Sequence, residues 1–135
     1  MNRGIVIEFH LDARSGVSPY QQIVRQVRRA LRLGLLHEGD QLPTVKEVVE
    51  RLAINPNTVL KAYKELEHAG LVSPRPGIGT FVTATLSVGS LAAHGPLRQE
   101  LLRWLAKARC AGLDDESIEA LLQDTFRSSA EEGVA

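Results

Sequence analysis

A single cysteine, Cys110, in 135 residues excludes an intramolecular disulfide and leaves no thiol cluster for zinc; its expected place is buried or half-buried. No run of about 18 apolar residues exists, so no membrane-spanning helix is expected. The N-terminus lacks the basic-then-apolar layout of a signal peptide, and a cytoplasmic location follows as the expectation. Missing too are G-x-S-x-G, the P-loop, H-E-x-x-H and paired-cysteine spacings. The four histidines (His10, His37, His68 and His94) fall in separate segments without a ligand pattern. An enzyme is therefore not expected, and neither a cofactor nor a metal.

Net charge is also lacking, which at first argues against a nucleic-acid partner. Its distribution matters more. Residues 1–85 hold 11 Lys and Arg against 8 Asp and Glu, and residues 86–135 hold 5 against 8. With 44% hydrophobic residues, the composition suits one compact unit, or a small domain with a helical appendage.

What is present is a succession of capped helices. IVIEFHLD, in which Ile5, Ile7, Phe9 and Leu11 alternate with Val6, Glu8, His10 and Asp12, reads as a short strand. Ser18, Pro19 and Gln21 then open a helix running to about Leu33. Tyr20, Ile23, Val24, Val27, Ala30 and Leu31 form its buried stripe, and Arg25, Arg28, Arg29 and Arg32 lie mostly outside. Thr44 and Glu47 make a capping box for a short helix ending near Leu52. Asn55 and Pro56 cap and start another that Gly70 ends.

In that last helix Val59, Ala62, Tyr63 and Leu66 share one stripe, while Asn57, Lys61, Lys64 and His68 line another. The second stripe has amide and amine chemistry. Asparagine pairs bidentately with adenine, and lysine reaches guanine edges or phosphate, so this is the expected DNA-recognition helix. The two helices joined by a short turn fit a helix-turn-helix. Two strands around Pro74-Arg75-Pro76-Gly77-Ile78-Gly79 follow as a hairpin, or wing, whose tip suits close approach to a minor groove.

Beyond the wing, residues 84–95 are small and Gly/Ser-rich and read as a linker. Leu97, Leu101, Trp104, Leu105 and Ala108 make an apolar stripe on a helix from Pro96; Ile118, Leu121, Leu122 and Phe126 continue it on a helix from Asp114. Two helices of this length cannot bury both stripes between themselves, so a second copy is the expected partner. Trp104 is read as dimer core rather than a ligand platform.

SPYQQI, the G-x-L-x-x-G-D-x-LPT segment from Gly34, INPNTVLKAYKELEHAGLV and RPGIGTFV together resemble the GntR family of winged-helix transcription regulators over about residues 4–83. The NPNTV entry and a C-terminal part of two helices most resemble its YtrA-type subfamily. The resemblance implies a mainly α fold with a small β-hairpin wing. Residues 1–83 would form a winged helix-turn-helix DNA-binding domain, 84–95 a linker, 96–128 a helical dimerisation region and 129–135 a disordered tail. It further implies a homodimeric repressor on a palindromic operator in double-stranded DNA, controlling a transporter operon and itself. A small-molecule effector, of unknown identity, would sit between subunits or domains rather than within one. The competing reading is a winged-helix protein-interaction module that does not bind DNA.

Within that frame Asn55, Asn57 and Lys61 are the candidates for base readout; Thr44, Lys46, Thr58, Lys64 and Arg75 are assigned to the contact surface and phosphate positioning, and Gly77 to close backbone approach. Capping alone also accounts for Asn55. Lys46 stands where the family commonly has arginine, which keeps the charge and loses the bidentate fork. Thr44 replaces a common serine and still caps. Ala53 replaces a frequent glycine, implying either a turn that is not left-handed or a strained one.

Overall fold

The structure, a computed structural model, describes residues 7–86 and 95–132. These fall into two compact units, Met1–Leu91 and Ala92–Ala135. The first contains α1 (Pro19–Arg32), α2 (Val45–Leu52), α3 (Pro56–His68), β1 (Val72–Arg75) and β2 (Gly79–Val82); the second contains α4 (Gly95–Cys110) and α5 (Asp115–Glu132). The fold is mainly helical, with one small antiparallel hairpin. Among the described residues no helix is long and apolar enough to cross a membrane.

Burial fixes the three N-terminal helices against one another. Ile23, Val24, Val27, Ala30 and Leu31 of α1 enter the same core as Val48 of α2 and Val59, Ala62, Tyr63 and Leu66 of α3. Full burial of a large aliphatic side chain contributes about 1.5–3 kcal/mol, whereas a cap contributes about 1 kcal/mol. Packing therefore orients each helix, and capping decides where it begins. Ser18 accepts from the Gln21 amide, and Thr44 and Glu47 make the full reciprocal box. At the other ends of α1 and α3, the amides of Gly34 and Leu35 reach Leu31 and Ala30, and those of Gly70 and Leu71 reach Glu67 and Leu66. Both pairs close the last turn through a left-handed glycine.

The expected N-terminal strand does not form within residues 7–12; Ile5 and Val6 lie outside the described residues. Glutamine side chains take the place of a neighbouring strand. Gln26 accepts from the His10 amide at 3.0 Å and donates to its carbonyl at 2.6 Å, and Gln22 accepts from the Asp12 amide at 2.7 Å and donates to its carbonyl at 3.1 Å. Spaced four apart on α1, the two amides satisfy alternate backbone groups of an extended segment, which then lays Phe9 into the core.

A second difference concerns residues 39–42. The sequence marks no strand there, yet they pair with β2. The Gly39 amide donates to Val82, that of Val82 to Asp40, and that of Leu42 to Thr80, at 2.8–2.9 Å. The expected linker also begins later than residue 84, because Ala84 and Leu86 pack on the core; the rest of it, residues 87–94 with His94, lies outside the described residues. The expected tail is helical as far as Glu132, and residues 133–135 lie outside. Cys110 is exposed.

In the C-terminal unit the Asp114 side chain accepts from the Ser117 amide at 2.8 Å and caps α5. Hydrogen bonds from Ser117, side chain first and then backbone, hold this exposed carboxyl below its ordinary value. Leu113 and Ile118 flank the cap as a hydrophobic staple, and Ile118 and Ala108 are buried. Away from that turn the two helices make little contact.

Ala53, at the end of α2, has φ 55° and ψ 45°. It is the strained alternative, a left-handed residue with a Cβ. Ala53→Gly removes that penalty and gives back part of it as unfolded-chain entropy, so we expect a net gain of about 0.5–1 kcal/mol. A higher urea midpoint at unchanged slope is the expected reading.

Candidate nucleic-acid interface

Because Val59, Ala62, Tyr63 and Leu66 are all buried, the opposite stripe of α3 must face outward. Asn57, Lys61 and Lys64 lie on it and are exposed. Thr58 sits half-buried on its flank, and Leu60, which the sequence pattern did not single out, is exposed on the other side. Asn55 is engaged as the cap. Its carboxamide oxygen accepts from the Asn57 amide at 2.8 Å, which leaves the NH₂ for any outside partner. Thr44 is similarly committed through its hydroxyl to Glu47, while Lys46 projects from the first turn of α2.

Tyr63 sets the depth of α3. Its ring is buried, and its hydroxyl donates to the Pro43 carbonyl at 2.6 Å, tying the middle of α3 to the residue before the α2 cap. Burial, and secondarily the charge of Glu47, push the phenol well above its ordinary value.

The wing pairs Val72 with Val82, Ser73 with Phe81, Pro74 with Thr80 and Arg75 with Gly79. Its tip is a turn closed from the Ile78 amide to the Arg75 carbonyl at 2.9 Å, with Pro76 and left-handed Gly77 in the middle. Gln41 braces the wing by donating to the Ile78 carbonyl at 3.1 Å. Its side chain also fills the space where a Cβ at Gly79 would stand. Arg75 is exposed, and its guanidinium lies 4.5 Å from the centroid of the Phe81 ring. The Lys61 ammonium lies 4.1 Å from the centroid of Tyr20, which is half-buried rather than part of the core proper. Both contacts join residues that periodicity within one helix or strand cannot relate.

Thr44, Lys46, Asn55, Asn57, Thr58, Lys61 and Lys64 thus lie together on α2, α3 and their entries, with Arg75 and Gly77 on the adjoining wing. No carboxylate pairs with Lys46, Lys61, Lys64 or Arg75 among the described residues. Nor do the described residues gather His, Cys, Asp and Glu into a metal site.

The residues marked for dimerisation behave differently. Ile118 is buried and Trp104 and Leu105 are half-buried, but Leu97, Leu101, Leu121, Leu122 and Phe126 are exposed, Phe126 at 79%.

Residues 19–82 match the model of the bacterial regulatory proteins, gntR family. The chain is 32% identical to the HTH-type transcriptional repressor YtrA of Bacillus subtilis over 118 residues, covering 84% of this chain and 88% of that one. The chain belongs to the gntR family. Among solved structures, a transcriptional antiterminator from Listeria monocytogenes is 29% identical with a TM-score of 0.56, over 89% of this chain and 90% of that one. YtrA from Sulfolobus acidocaldarius, a GntR-family transcription factor, is 28% identical with a TM-score of 0.52, over 76% of this chain and 99% of the other. A YtrA-like member of the gntR family, with the winged helix-turn-helix and two C-terminal helices, accounts for both units.

Removing the Tyr63 hydroxyl leaves the Pro43 carbonyl unpaired, so Tyr63→Phe is expected to cost about 1–2 kcal/mol at neutral pH. Above pH 10.0, the phenol's ordinary value, the unfolded chain gives up this proton while the folded chain keeps it. The wild type therefore loses stability as pH rises further, and Tyr63→Phe loses less. Urea midpoints from pH 8 to 11 measure both effects.

Proposed function

We propose that this protein is a sequence-specific DNA-binding repressor that acts as a homodimer on a palindromic operator. The observation that carries the reading is the exposed α3 stripe of Asn57, Lys61 and Lys64, bounded by Lys46 and the wing Arg75, with no carboxylate paired to these cations among the described residues. Asn57 and Lys61 read base edges in a major groove; Lys46, Lys64, Thr58 and Arg75 hold the phosphates, and Gly77 lets the wing backbone approach closely. YtrA of Bacillus subtilis bears the name of a repressor, which supports repression as the outcome of binding. Control of a transporter operon and of the protein's own gene is the further part of this proposal, which the family resemblance implies.

The exposed apolar residues of α4 and α5 support the dimer. A side chain as exposed as Phe126 loses most of its apolar benefit unless a partner covers it. A two-fold dimer sets the α3 helices about 34 Å apart, on successive turns of the major groove.

Selection of binding sites from random duplexes tests the reading directly. A palindromic consensus is the expected result, and no enrichment favours the protein-interaction module, to which the zero net charge gives some support. On the selected duplex, Lys46→Ala or Lys64→Ala should weaken binding to every sequence and lower the salt slope by about one. Asn57→Ala should instead change base preference by about 1–3 kcal/mol. Equal losses on specific and random DNA would remove Asn57 from the readout.

For the dimer, Leu101→Glu combined with Phe126→Glu should convert a sedimenting dimer to a monomer and weaken operator binding, with the N-terminal unit still folded by circular dichroism. A variant that stays dimeric would displace the interface from α4 and α5.

A further inference from the structure

Six aromatic side chains occur in the whole sequence. Two of them lie under two of the three cations that the DNA-binding reading places on the recognition helix and the wing: Tyr20 under Lys61 and Phe81 under Arg75. We propose that Tyr20 and Phe81 are positioning residues for DNA binding, each holding one cation over its ring face and so fixing where the charge meets the duplex. The proposal rests on the DNA-binding reading and adds to it two residues outside the expected contact set.

The placement of each ring follows from the chain. Tyr20 is the second residue of α1, where the Ser18 cap and Pro19 fix the start of the helix, so its ring cannot follow a fraying end. It is half-buried, and α1 packs on α3, which brings the ring to the edge of the exposed stripe. On the wing, Arg75 faces Gly79 across the hairpin, and Phe81 is the diagonal neighbour. Gly79 contributes no side chain of its own, the Gln41 side chain standing where its Cβ would be, and the guanidinium lies 4.5 Å from the centroid of the diagonal ring.

A ring face suits this role better than a carboxylate. An ion pair holds a cation by cancelling its charge and using its donors. A π face attracts the cation but leaves its full charge, and its outward N–H groups remain available to phosphate or a base edge. Free lysine carries four flexible methylene torsions, and ordering them on binding opposes affinity; a head group already seated over a ring has less order to gain.

The test is a double-mutant cycle read by fluorescence anisotropy, with the full-length protein and the consensus duplex recovered by selection. Folding of each variant is checked by circular dichroism. Tyr20→Leu is expected to weaken binding about two- to fivefold, and Tyr20→Phe, which keeps the ring, to bind like the wild type. In a Lys61→Met background, Tyr20→Leu should add no further loss. On the wing, Phe81→Tyr should retain affinity and Arg75→Met should lose it.

Additive losses in the Lys61→Met background, a Tyr20→Phe loss equal to that of Tyr20→Leu, or a gain in affinity on removing the ring would each overturn the positioning role while leaving DNA binding intact. Failure of the wild type to bind any duplex would overturn the DNA-binding reading and this inference with it.

Discussion

Residues Gly39 to Thr44 form the joint to which every element of the proposed DNA-facing surface is fastened. Their first half pairs with β2 through Gly39, Asp40 and Leu42, which holds the wing. Pro43 accepts from Tyr63, which sets the seat of α3, and Thr44 caps α2. Leu42, fully buried, anchors the joint in the core. Pro43 contributes by its chemistry as well as its position. It restricts Leu42 to extended backbone, which a strand-like pairing needs, and leaves its own carbonyl for the tyrosine. The wing, the recognition helix and Lys46 on α2 are thus held by one six-residue stretch, so a change in it reaches all three at once.

The opposite face of α1 is left with arginines. Arg25, Arg28, Arg29 and Arg32 follow i, i+3, i+4, i+7, away from the core stripe. Arg29 and Arg32, in the last turn, offset the partial negative charge of the helix end. The core-facing side is occupied not only by aliphatic residues but, at its margin, by Gln22 and Gln26, which tie down the N-terminal segment. Glutamine serves here because one side chain carries a donor and an acceptor spaced like those of a peptide group. It can therefore close both ends of a backbone unit that a strand would otherwise pair.

What was legible in the sequence was local. Ser18, Thr44, Asn55 and Asp114 mark helix starts because a cap acts on amides two or three residues away, and Gly34 and Gly70 mark ends for the same reason. The two stripes of α3 follow from its period alone. The contacts that escaped are those between residues distant in the chain: residues 39–42 with β2, the Tyr63 hydroxyl with Pro43, and Tyr20 beneath Lys61. IVIEFHLD alternates as a strand does. Alternation, however, reports one buried side and says nothing of what satisfies the backbone, here two glutamines. The helical span beyond Ser128 was missed because SAEE is mostly polar; yet it contains no Gly or Pro before Gly133, so nothing in it ends a helix already begun.

A chain of zero net charge that binds DNA has to do so without a large general attraction for phosphate. Nonspecific affinity scales with the number of phosphates neutralised, and in the proposed contact set that number is limited to a few cations on α2, α3 and the wing. Each winged unit alone is then a weak binder on any sequence. Linking two of them makes the second contact intramolecular and multiplies the affinity only where both half-sites are present at the right spacing. On this reading the apolar residues of α4 and α5 belong to specificity as much as to assembly. In the proposed dimer they would turn a modest surface into one that discriminates a paired site from the rest of the genome.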